Sequence, residues 1–184
     1  MSGYSEVLYV IFAMVIVATM ALNANRVIQV NNVSMIEGQL EGQVISYAQN
    51  IIEEARALAF DQETTDDPTS ENSVVPVTIP EGFTNDSNLG IDSGETQNDR
   101  TTYNDFDDYN EHSETVTFNG VDYIINVTVD YISHDNTYTT FTITNSETTL
   151  KRITVNVQSE FLNKNPGSDN TNYNFSFIRS YYAD

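Results

Sequence analysis

From Val7 to Leu22 the chain reads VLYVIFAMVIVATMAL, with no charged side chain. As a helix, that stretch rises about 24 Å. Tyr4, Ser5, Asn23 and Ala24 on its flanks bring it close to the roughly 20 residues that cross a bilayer. It is apolar all round, so its helix requires lipid or protein on every side. After it the pattern changes. Ile36, Leu40, Val44, Ala48, Ile51, Ala55 and Leu58 recur at steps of three and four, while Gln39, Glu41, Gln43, Gln49, Glu53 and Arg56 fall off that stripe. This is the spacing of an amphipathic helix. One helix, apolar and then amphipathic, is predicted to run to Phe60, where acids, Thr and Pro68 end it. Gly38 and Gly42 each cost about 1 kcal/mol relative to Ala in a helix interior. With Asn31-Asn32 they predict a bend or local unwinding between Asn31 and Gly42.

The second half of the chain alternates with a period of two. Thr115–Phe118 and Val121–Ser133 flank Asn119-Gly120, the signature of a two-residue type I′ hairpin. Further strands are expected in 137–145, 149–162 and 173–182, giving an antiparallel meander of four or five strands. One face carries Val, Ile, Phe and Tyr, the other Thr, Asn and Ser. The apolar face needs a cover, and the helical stripe from Val44 to Leu58 is available. Between helix and strands, residues 61–114 read as a long loop. Val74–Ile79 is a short strand candidate that Pro76 and Pro80 confine to an edge. The fold class is therefore α+β, with residues 1–60 a helix and 61–184 an acidic β-rich head.

Composition narrows the possible partners. Seven basic residues stand against 27 acidic ones, for a net charge of −20. Such a surface repels nucleic acid and anionic membrane faces. With no Cys, the chain forms neither disulfides nor thiolate zinc sites. The two histidines, His112 and His134, read as turn or surface residues. No nucleophile pattern, phosphate loop or HExxH motif is present, so no enzyme is expected and no cofactor. Asp105, Asp107 and Asp108, with Glu111 nearby, form the one metal candidate. Carboxylate oxygens suit Ca²⁺, but the EF-hand spacing is missing, and an Asx-type turn explains the same residues. Asn32, Asn85, Asn126 and Asn174 lie in N-x-S/T patterns open to glycans.

The apolar segment has three readings: a secretory signal, a membrane anchor, or a helix that first spans a membrane and then packs against its own copies. Nothing before Arg26 is basic and Glu6 is acidic, which runs against a signal peptide. An acid at the edge of a bilayer-length segment suggests function, although Glu6 also favours the helix dipole from the first turn.

Three stretches carry a family resemblance. Ala48–Phe60, AQNIIEEARALAF, resembles the head-proximal helix of type IV pilin-like proteins. Asn104–Glu111, NDFDDYNE, is similar to a stretch in the heads of minor-pilin-like members, and LKRITVNV at Leu150–Val157 resembles their late strand. The resemblance implies a bacterial surface filament. The subunit waits in the inner membrane, is handled by an assembly machine, and polymerises with copies of itself outside the cell. It also implies that Glu6, matching the family's early Glu, meets the N-terminal amine of a neighbouring subunit. Glu6 falls third if a leader is cut after Gly3 and sixth if Met1 is the mature start, whereas the family places its Glu fifth. The expected assembly interface is Glu6, Val7, Tyr9, Ile11, Phe12, Val15, Ile16, Met20 and Leu22. The alternative function is a membrane-anchored accessory or adhesive protein that forms no fibre.

Overall fold

The computed structural model describes residues 3–65, 78–159 and 171–183. Its architecture is α+β: one long helix, α1 (Gly3–Ala57), followed by a five-stranded antiparallel sheet. Two compact units divide the chain, Met1–Gln43 and Val44–Asp184.

The first unit is helix throughout its described residues. The irregularity expected between Asn31 and Gly42 is absent, because α1 runs unbroken through both Asn residues and both Gly residues. Their combined cost of a few kcal/mol is spread over a helix with no Pro and many good helix formers, which propagates once nucleated. Even the hydroxyl of Thr19 is satisfied within the helix, donating to the carbonyl of Ile16 at 2.8 Å.

The second unit begins where the amphipathic stripe becomes buried. Val44, Ala48, Ile51 and Ala55 are the buried residues of α1, and all four lie on the predicted stripe. They form part of a core whose other half comes from the sheet. In β2 (Val121–His134), Tyr123, Ile125, Val127, Val129 and Tyr131 face inward; in β4 (Leu150–Ser159), Ile153, Val155 and Val157 do. Tyr47 on α1 meets Tyr123 with ring centroids 5.4 Å apart. The strand order is β1 (Ser113–Phe118), β2, β4, β5 (Thr171–Ser180). The short β3 (Phe141–Ile143) also pairs with β2, from Ile132 to His134. The β1–β2 turn carries positive φ at Asn119 and Gly120 (52° and 80°), as a type I′ turn requires. The strand candidate at Val74–Ile79 lies mostly outside the described residues, and Thr78 and Ile79 belong to a turn.

β2 is longer than any partner on its first edge. β1 pairs up to Asn126, β3 begins at Ile132, and the gap between them is filled from the loop. Glu111 N–H donates to the Val127 carbonyl, and Val129 N–H donates to Oδ1 of Asn110 at 3.0 Å. The same Asn110 donates through Nδ2 to the Leu89 carbonyl. A long loop is thus held to the sheet by backbone bonds at Glu111 and His112 and by the Asn110 side chain, which together replace a missing strand.

The polar ends of the core are built the same way. Arg179 sits in phase with the inward positions of β5. Its guanidinium donates to the carbonyls of Ala55, Leu58 and Ala59 and lies over the ring of Phe106. These carbonyls lie at and just past the end of α1, where the regular i to i+4 acceptance stops, and a cation there also suits the helix dipole.

Candidate functional site

Two regions depart from ordinary burial, one in each unit. In the first unit the departure is apolar exposure. Val7, Tyr9, Ile11, Phe12, Val15, Ile16, Met20 and Leu22 are each between 47% and 73% exposed. The same holds on every face, through Val27, Ile28, Val30, Val33 and Ile36. Glu6 is exposed as well. The helix includes a window of mean hydropathy 2.3, none of it buried, long and apolar enough to cross a membrane.

In the second unit the departure is charge burial. The inward face of β4 begins with Lys151, in phase with Ile153, Val155 and Val157, and Lys151 is fully buried. Its Nζ donates to the Phe60 carbonyl at 3.0 Å, to Oδ2 of Asp61 at 2.6 Å and to Oδ1 of Asp107. It also lies over the rings of Phe60 and Tyr131. Burial alone would lower the Lys151 pKa, but the charges of Asp107, Asp61 and Asp105 hold it above its ordinary value. Asp61 caps the turn Gln62–Thr64. It also accepts from the Thr84 N–H and from the hydroxyls of Thr84 and Tyr131. Burial pushes its pKa up, yet Lys151 and these donors bring it below the usual carboxylate range.

Asp107 belongs to the second strand of this network, the turn at 105–109. Phe106 N–H donates to the Ala59 carbonyl, and Asn104 accepts from Ala59 N–H, joining this turn to the segment after α1. Oδ1 of Asp105 accepts from the N–H groups of Asp107 (2.8 Å) and Asp108 (3.2 Å). Oδ2 of Asp108 accepts from those of Asn104 (2.7 Å) and Asp105 (2.8 Å). The expected Asx-type turn is therefore present, with two interlocked aspartates. The expected trio of Asp105, Asp107 and Asp108 is not the set whose oxygens converge. Asp107 is turned to Lys151, while one carboxylate oxygen each from Asp92, Asp105 and Asp108 lies within 4.8 Å of the other two.

His112 is not a surface residue. It is 1% exposed, its Nδ1 lies 3.0 Å from the Tyr103 hydroxyl, and it stands edge-on to the Tyr103 ring. Its N–H donates to the Tyr109 carbonyl at the end of the turn at 107–109, and burial lowers its pKa. His134 is exposed and stacks on Tyr138. Of the glycan candidates, Asn32 is exposed on α1 and Asn85 on the loop. Asn126 accepts from the Ser113 hydroxyl, and Asn174 from Asn156 on the neighbouring strand.

Sequence reasoning missed Lys151, Asp61 and Asp92. Lys151 was detectable, since an inward-phase position of β4 carries a charge. Asp61 and Asp92 lie in loop sequence with no periodicity to place them. The chain matches no family model, no curated protein and no solved structure.

Proposed function

We propose that the chain is a pilin-like structural subunit, membrane-inserted first and then polymerised into an extracellular helical filament through the apolar half of α1. One observation carries this reading: the first unit exposes large apolar side chains around its whole circumference. Such a surface is stable only when enclosed. Lipid supplies the enclosure before assembly, and neighbouring copies of the same helix supply it within a fibre core. The resemblance of Ala48–Phe60, Asn104–Glu111 and Leu150–Val157 to type IV pilin-like sequences supports the same reading. So does the acidic head, which keeps subunits soluble and apart until their helices meet. Assembly machinery in the inner membrane is the implied partner.

Electron microscopy tests the proposal. The full chain, purified in detergent and then freed of it, should form fibres of uniform diameter. A truncated chain beginning at Asn25 should remain soluble and monomeric. Fibres from the truncated chain would overturn the role of the helix. An undecorated bilayer anchor with no fibres from the full chain would favour the accessory function instead.

A further inference from the structure

The buried charges of the head do not balance. Asp61, Asp105, Asp107 and Asp108 are all 0% exposed, and Lys151 is the buried cation among the described residues. His112, also buried, has its pKa lowered and does not help. If ionised, the four aspartates leave three negative charges without compensation, an arrangement that costs several kcal/mol per charge. Lys151 is committed to Asp61 and Asp107. The excess therefore falls on Asp105 and Asp108.

Both of these residues spend one oxygen on backbone N–H groups and leave the other bare. Oδ2 of Asp105 and Oδ1 of Asp108 are buried with no donor among the described residues, as are Oδ2 of Asp92, Oε1 of Glu95 and Oδ1 of Asn104. These orphaned oxygens are independent of the acidic composition, because a buried acceptor without a donor is itself destabilising. Glu95 borders the same place: its Oε2 accepts from Asp92 N–H and its carboxyl lies against that of Asp108.

We propose that Asp92, Asp105 and Asp108, with Glu95 beside them, form a Ca²⁺ site in the head. Ca²⁺ binds oxygens at about 2.3–2.6 Å, so two ligands of one ion stand at most about 5 Å apart. The 4.8 Å limit on the Asp92, Asp105 and Asp108 oxygens meets that condition. The donor set is all oxygen, as a hard cation requires, with no thiolate or imidazole to favour zinc. The remaining coordination positions fall to water. Two positive charges at this point offset most of the excess that Lys151 leaves. The site also ties the loop at Asp92–Glu95 to the turn at 104–108, so binding stiffens the part of the head that has no strands.

The test uses the full chain in detergent, stripped with a chelator and titrated with CaCl₂ by calorimetry at pH 7. One ion per chain should bind saturably. At a hundredfold excess over Kd the head should unfold about 5–10 °C higher than without calcium. Asp92→Asn and Glu95→Gln lie at the outer side of the site and should leave the calcium-free fold intact by circular dichroism. Each should weaken binding at least tenfold. Asp105→Asn should abolish it. MgCl₂ should give a much smaller shift at equal concentration. Absence of saturable binding up to millimolar calcium overturns the site, as does equal binding by wild type and Asp92→Asn. A larger response to magnesium overturns the assignment to calcium. Fibre formation plays no part in the result, so the filament proposal stands or falls separately.

Discussion

The two units of this chain invert the usual placement of residues in opposite ways. In the first, large apolar side chains from Tyr4 to Ile36 lie open. In the second, four aspartates and a lysine lie fully enclosed. Each inversion is costly for an isolated chain in water. In the proposals made above, lipid or other copies of the chain relieve it in the helix, and a divalent cation relieves it in the head. The core of the head is otherwise ordinary, with Val44, Ala48, Ile51 and Ala55 of α1 and the inward residues of β2 and β4 excluding water. The difference teaches that burial of a residue type depends less on its polarity than on what can be brought to meet it.

The largest effect expected is that of removing the apolar segment. Each large aliphatic side chain buried in a fibre contributes about 1.5–3 kcal/mol, so loss of residues 1–24 should abolish assembly outright in the electron microscopy comparison. Next in size is Lys151→Met. It leaves Asp61 and Asp107 buried without their cation, and should cost the head about 3–5 kcal/mol in chemical denaturation. Adding Asp61→Asn and Asp107→Asn to Lys151→Met should recover part of that loss. If Lys151→Met alone is neutral, charge burial is not what distinguishes the head. Calcium binding, with the variants given above, comes third. Glu6→Ala should then weaken assembly while leaving the head folded. A charge-assisted hydrogen bond between Glu6 and a neighbour's N-terminal amine is worth about 1.5–3 kcal/mol, which corresponds to a tenfold or greater rise in the concentration needed for fibres. Normal fibres in normal yield would show that apolar packing alone sets the register.

The smallest effect concerns pH. Burial lowers the His112 pKa below its ordinary 6.5, so the folded head holds this ring neutral. The unfolded chain takes up a proton as pH falls through 6.5 and the folded chain does not, until its own lower pKa is reached. Stability from this group is therefore complete above pH 6.5 and is lost on acidification below it. Glu114 and Arg100 face the ring with opposite effects. Thermal unfolding of wild type and His112→Gln between pH 7.5 and 5.5 should show a steeper decline for wild type. Parallel curves would remove His112 as the cause.

Much of the fold was legible because periodicity reports burial. The steps of three and four from Val44 to Ala55, and the alternation in β2, β4 and β5, are direct records of which side faces the core. The type I′ turn was legible because Asn119-Gly120 tolerates positive φ. The straightness of α1 was not, since Gly38 and Gly42 signal a weak point without saying whether neighbours outweigh it. The site was half legible. Asp105 and Asp108 stood out by density, and Asp107 with them, but three carboxyls within four residues do not all turn the same way in a tight turn. The chain sends Asp107 to Lys151 and brings Asp92 from a loop where no pattern announces it. His112 was misplaced for the same reason: a loop pinned by Asn110 and Tyr103 buries residues without any regular spacing.

The guanidinium of Arg179 reaches carbonyls at the end of α1 that precede it by as many as 124 positions. During translation, α1 therefore leaves the ribosome long before the residue that closes its last turn exists. Contacts so distant along the chain form slowly, and β5, which carries Arg179, is also the last strand of the sheet. Closure of the head over the end of α1 thus waits for β5, long after the helix itself has been made.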